Sequence, residues 1–66
     1  MENGTIKWFN PKKGFGFIAN DSGNDVFVHH SQVEEKAILT QGDQVLYETV
    51  QGEMGPKATH VTKNNS

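Results

Sequence analysis

The chain has no cysteine, which excludes disulfides, thiolate metal sites and a cysteine nucleophile together. That absence suits a reducing compartment. Arginine is missing too, so all 6 basic residues are lysines. No segment is apolar for long enough to span a bilayer, and the first residues lack the apolar run of a secretory leader. The expectation is a soluble, cytoplasmic protein. There is no internal repeat, low-complexity tract or interdomain linker. Residues 1–66 therefore read as a single domain, near the lower size limit for folding without staples. The net charge of −2 runs against the basic balance usual for a nucleic-acid binder.

What is present is regular punctuation. Asn10-Pro11-Lys12-Lys13-Gly14 reads as a loop, because proline fixes φ and glycine accepts φ > 0. Asn20-Asp21-Ser22-Gly23-Asn24-Asp25 is a polar hairpin connection. Further turns fall at Gln41-Gly42-Asp43 and Gln51-Gly52-Glu53-Met54-Gly55-Pro56. Between them lie strand-like runs at about Thr5–Asn10, Phe15–Asn20, Asp25–His30, Gln44–Gln51 and Lys57–Thr62. Five short strands with turns between them predict a small all-β barrel or sandwich. Ser31 followed by Glu34 resembles a capping box and predicts one helical turn before a loop. Lys63–Ser66 reads as a frayed tail.

Alternation sorts the second and third strands into two unlike faces. Phe15 and Phe17 share one face with Ile18 on the other; Phe27 and His29 share a face opposite Val26 and Val28. So small a chain can bury only one side well, which predicts a row of rings in water beside lysines. Nucleic-acid bases stack on such a surface. Ile6, Ile18, Val26, Val28, Val45, Tyr47 and Val61 are the expected core, with Thr49 in register and Ile38 or Leu39 closing one end. Trp8 and Phe9 are adjacent, so a bulge must expose parts of both or one is core; Phe9 is the better core residue. Gly14 and Gly16 read as a bulge or tight bend, and also as room beside Phe15 and Phe17 for a flat base.

Charge is distributed unevenly. Lys7, Lys12 and Lys13 surround the first strand and turn, while Glu34, Glu35, Asp43, Glu48 and Glu53 lie elsewhere; Asp21 and Asp25 are the exceptions. Other chemistries find little support. His29 and His30 are adjacent on one strand and so point to opposite faces, and no cysteine supplements them, so no metal site is expected. Gly14-Phe15-Gly16 lacks the third glycine and strand–helix context of a dinucleotide fingerprint. Nothing specifies a nucleophile elbow, and no enzymatic activity, cofactor or small-molecule substrate is expected. A peptide-binding β-barrel module using its aromatic groove is the competing class.

Lys7-Trp8-Phe9-Asn10, Lys13-Gly14-Phe15-Gly16-Phe17-Ile18, Asp25-Val26-Phe27-Val28-His29 and Gly55-Pro56 with Val61-Thr62-Lys63 together resemble the bacterial cold-shock proteins. The resemblance covers nearly the whole chain in order, and the two central segments look like that family's ribonucleoprotein motifs. It implies a five-stranded antiparallel barrel of the OB type that binds single-stranded RNA and DNA with low sequence selectivity as an RNA chaperone. A monomer is expected, with strand exchange the alternative. Carried over, it implies a stacking platform of Trp8, Phe15, Phe17, Phe27 and His29. Lys7 and Lys13 would meet phosphates or base edges, and Asp25 would accept a hydrogen bond from a base.

The chain departs from the family pattern in three places. His30 stands where a phenylalanine is usual, which exchanges a stacking ring for an imidazole that gains charge on acidification. Glu34-Glu35-Lys36-Ala37-Ile38-Leu39 is shorter than the family's loop and lacks its aromatic. Met54 occupies a turn position often basic in relatives, with Lys57 nearby to compensate. These departures predict weaker binding or a shorter footprint than a typical member.

Overall fold

Strand direction explains how the barrel closes. The computed structural model describes residues 1–34, 38–53 and 55–64. β1 (Glu2–Asn10), β2 (Phe15–Asn20) and β3 (Asp25–His29) form an antiparallel meander. β4 (Gln44–Gly52) pairs antiparallel with β1, and β5 (Gly55–Lys63) antiparallel with β4. The ring β1-β2-β3-β5-β4 is closed by a parallel pairing of Phe27 with Lys57. The expected barrel of the OB type is present, but it is not purely antiparallel. A closed ring with an odd number of strands cannot alternate direction all the way round, so one parallel pair is obligatory.

The turn chemistry follows the sequence. Asn10 Oδ1 accepts from the amides of Lys12 (3.0 Å) and Lys13 (3.2 Å), and the Gly14 amide donates to the Asn10 carbonyl at 2.7 Å. Gly14 completes this loop at φ 79°, a conformation glycine adopts without penalty. Asn20 Oδ1 plays the same part between β2 and β3, accepting from Ser22 (3.0 Å) and Asn24 (2.9 Å). Each of these amides would otherwise face the turn unpaired.

All of the predicted aliphatic core is inside. Ile6, Ile18, Val26, Val28, Val45, Tyr47 and Val61 are at most 1% exposed, joined by Val33, Leu39 and Ala58. Each fully buried aliphatic contributes about 1.5–3 kcal/mol before ordering entropy. Of the two residues expected to close one end, Leu39 is buried in the core cluster, whereas Ile38 is 73% exposed. Thr49, expected inward, is exposed, because β4 pairs with β1 only as far as Tyr47 and then projects as a hairpin with β5. Its hydroxyl donates instead to the Glu2 carboxylate at 2.5 Å. Tyr47 is wholly buried; burial, with Glu2 and Asp21 adding negative potential, pushes its phenol above the ordinary value.

Two irregularities reset the alternation. The β1–β2 register shifts between Ile6 and Trp8, so Lys7 and Trp8 are both exposed while Phe9 packs half-buried on the core. In β5 the register shifts opposite Tyr47, with His60 at φ 51°, and this returns Val61 to the interior three residues after Ala58. His60 lies at the surface, its Nδ1 3.2 Å from Glu34 Oε1.

The helical turn is a 3₁₀ turn, His30–Gln32, and no Ser31–Glu34 capping box forms. With Val33 already closing it onto the His30 carbonyl, the turn is too short for a box that spans four residues. His29 caps it instead. Nor does the chain fray at Lys63: that lysine reaches Asp43 at 3.3 Å, and the Asn64 amide donates to the Gln44 carbonyl at 2.8 Å. Asn65 and Ser66 lie outside the described residues, as do Glu35, Lys36, Ala37 and Met54.

Two predictions follow from the packing and the charges. A Cβ on Gly16 would overlap the Trp8 carbonyl oxygen and lie 2.7 Å from Phe9 Cα. Gly16→Ala should lower stability by about 1–3 kcal/mol in denaturant unfolding, since backbone must shift to admit it. Asp43 accepts from the Thr40 amide and hydroxyl, both at 2.9 Å, and these bonds, with Lys63 beside it, hold its carboxyl below the ordinary 3.8. A lowered folded-state value stabilises above the ordinary carboxylate range and is lost as pH falls through it. Thermal melts should show Asp43→Asn less stable than wild type at neutral pH, with the difference vanishing progressively below about pH 3.8.

Candidate nucleic-acid interface

The half-exposed face of β2 and β3 meets the bulge of β1, and four rings gather there. Trp8, 42% exposed, lies 5.7 Å from Phe15 and 5.4 Å from Phe17 between ring centroids. Phe27 lies 5.8 Å from each of the same two phenylalanines, stacked on Phe15 and edge-on to Phe17. These spacings match the range in which aromatic pairs attract. Phe15, Phe17 and Phe27 are partly buried against one another, so the surface is a packed aromatic sheet with one side open.

The cross-strand register explains the gathering. Phe15 stands opposite His29, Phe17 opposite Phe27 and Trp8 opposite Phe17. Without the shift at Lys7, Trp8 would fall on the core side with Ile6. Gly16 lets β1 and β2 approach closely at this point. Neither Gly14 nor Gly16 leaves space for a base, contrary to one reading of the sequence. A Cβ on Gly14 would overlap the His30 ring, and one on Gly16 would overlap β1 backbone, so the protein fills both spaces itself.

The polar residues divide into three groups. Lys7 Nζ and Asp25 pair with each other at 3.0 and 3.2 Å, at the end of the β1–β3 surface. Lys57, opposite Phe27 on β5, lines a hollow of about 260 Å³ with Phe27, His29, Ser31 and Gln32. Lys13 and His30 line a separate cleft of about 870 Å³ with Phe9, Pro11 and Lys12. His29 and His30 do not diverge as two residues of one strand would. β3 ends at His29, the 3₁₀ turn carries His30 round, and their ring centroids lie 4.4 Å apart. Among the described residues no group of three or more histidine and carboxylate side chains is placed to hold a metal ion.

The sequence pointed to Ser31 only as one end of a capping box, yet its hydroxyl lies 2.8 Å from His29 Nδ1. A serine two residues after a strand-ending histidine is the local signal that could have found it.

The Lys7 and Asp25 side chains are 54% and 46% exposed, so their attraction is largely screened. A double-mutant cycle with Lys7→Ala and Asp25→Ala should give a coupling below about 1 kcal/mol in urea unfolding, fading as salt is added.

Comparison with known proteins agrees with this geometry. The model of the 'Cold-shock' DNA-binding domain matches residues 2–64. Cold shock protein 2 of Lactiplantibacillus plantarum is 51% identical over 63 residues, 92% of this chain and 96% of that protein. Cold shock-like protein CspLB of Listeria monocytogenes is 51% identical over 65 residues, 96% of this chain and 98% of the other. The cold shock protein CspD of Bacillus subtilis is 48% identical over 65 residues, with the same coverage of 96% and 98%. Among solved structures, drosophila Unr CSD456 superposes with a TM-score of 0.80 at 26% identity, covering 98% of this chain and 28% of that longer one. Among the described residues no helix is long and apolar enough to cross a membrane. The match over residues 2–64, on a five-stranded barrel that carries its rings on one open face, places this chain in the cold-shock domain family of nucleic-acid-binding proteins.

Proposed function

We propose that this protein binds single-stranded RNA and DNA by base stacking and acts as an RNA chaperone and regulator of expression under cold or other stress. It works as a cytoplasmic monomer without a cofactor. The observation that carries the reading is the contiguous set Trp8, Phe15, Phe17 and Phe27, open on one side of a barrel whose other side is its core. Each ring offers a face that any base can use, at about 1–3 kcal/mol per base, without reading its edge. Single strands suit such a surface, because the bases of a duplex are already stacked on one another. A base held on Phe17 or Phe27 is unavailable for pairing, so structured RNA opens at the expense of binding energy alone.

Phosphate contacts fall to Lys13 and Lys57, which form no ion pair among the described residues, while Lys7 must exchange Asp25 for a ligand. Asp25, once released, can accept from a base. With about two or three lysines engaged, the logarithm of affinity should fall against that of salt with a slope of roughly −2 or shallower. His30 extends the surface toward the cleft beyond Gly14.

The test is a titration of Trp8 fluorescence with a short oligothymidine, across a salt series, with a proline-rich peptide as control. Phe17→Ala and Phe27→Ala should each weaken binding by about 1–3 kcal/mol with little change in the salt slope. Absence of binding by the wild type in low salt, or quenching by the peptide alone, would overturn the reading.

A further inference from the structure

His29 differs from the phenylalanines beside it in carrying two ring nitrogens, and one of these is already engaged. The Ser31 amide donates to His29 Nδ1 at 3.2 Å, and Ser31 Oγ lies 2.8 Å from the same atom. An amide can only donate, so Nδ1 is an acceptor and carries no proton. The Ser31 hydroxyl then donates to it as well, and at the shorter distance it is the stronger of the two donors that share the nitrogen's one lone pair. A neutral imidazole has a single ring proton, which this arrangement assigns to Nε2.

The surroundings hold the ring in that orientation. His29 is the N-cap of the 3₁₀ turn, with extended backbone at φ −107° and ψ 147°, so its side chain supplies the acceptor that the turn's free amide needs. Rotating the ring by half a turn would put a carbon where Nδ1 sits and abandon both contacts. His30 stands 4.4 Å away between ring centroids, and Gly14 leaves the space that the His30 ring occupies. Across the sheet, Phe15 is His29's partner.

We infer that Ser31 is a positioning residue that locks His29 in its Nε2–H tautomer, so that the stacking surface also presents a hydrogen-bond donor fixed in place. The inference rests on the single-strand binding reading. The acceptor it suits is a phosphate oxygen or an exocyclic base carbonyl of the bound strand. Lys57 lines the same hollow of about 260 Å³ as His29 and Ser31, so the two residues can serve one acceptor-rich stretch of strand. A pyridine-type nitrogen facing the strand would instead repel either oxygen.

Long-range proton–nitrogen correlation spectra of the His29 ring, recorded on the free protein above neutral pH, test the lock directly. Wild type should show the proton on Nε2 alone; Ser31→Ala, which keeps the amide but loses the shorter hydroxyl contact, should admit a measurable Nδ1–H fraction, and Ser31→Thr should restore the single form. A proton on Nδ1 in wild type, or an unchanged tautomer in Ser31→Ala, would overturn the proposal. Titration with oligothymidine provides the second readout. Ser31→Ala should bind roughly two- to tenfold more weakly, the worth of one ordinary hydrogen bond, with Ser31→Thr close to wild type. Equal affinity of wild type and Ser31→Ala would remove the donor's role in binding. A methylphosphonate oligothymidine separates the two acceptors: the penalty disappears if a phosphate oxygen is the partner and persists if a base carbonyl is. The tautomer is read without ligand, so failure of the lock is distinguishable from failure of single-strand binding.

Discussion

β2 and β3 each have two apolar faces, and a barrel of this size has only one interior. Ile18, Val26 and Val28 take it, being β-branched and small enough to pack with Ile6, Val45, Tyr47 and Val61. Phe15, Phe17 and Phe27 are left on the outer surface, where they shield one another and Trp8 but cannot be covered. Stability and recognition thus come from opposite sides of the same two strands. The hydrophobic effect that fills the barrel also leaves the outer rings with unspent affinity for any flat, apolar partner.

Electrostatics is arranged around this surface more than built into it. The chain is acidic overall, at −2, yet lysines stand on different borders of the rings: Lys7 at the Asp25 end, Lys57 on β5, Lys13 beyond Gly14. Asp25 neutralises Lys7 until something replaces it. Such a layout limits long-range attraction to polyanions and, on the function proposed above, leaves short-range stacking to discriminate single strands from duplexes. With its Nε2–H fixed as inferred, His29 would add direction to a surface otherwise indifferent to which edge a base presents.

Much of this could be read from alternation. The strands, the core residues and the face carrying the rings follow from a period of two, and the Asn10 and Asn20 turns follow from side chains that mimic backbone. Strand ends at Glu2 and Lys63 were missed because pairing extends past the runs with strong local preference. Alternation fails where an extra residue enters: the adjacent rings of Trp8 and Phe9 hinted at the irregularity in β1 without fixing it at Lys7, and nothing local announces the shift at His60. The Lys7–Asp25 pair, 18 residues apart, is likewise invisible without the register of three strands. The glycines misled in a different way, since a missing side chain shows that space is needed but not who occupies it. His29 as a cap was hidden by the stronger Ser31–Glu34 pattern, which the three-residue turn is too short to use.

Because β5 sits between β3 and β4 in the ring, the strand that leaves a ribosome after the other four is also the one that joins the two ends of the sheet. Until it arrives, β3 has an unpaired edge and the rings of β2 and β3 stand on an open, two-sided sheet. The nascent chain therefore carries its binding motifs early but an enclosed interior only late, and its folding waits on a contact between distant parts of the chain. During that interval the exposed β3 edge is the place where a second copy or another strand could pair.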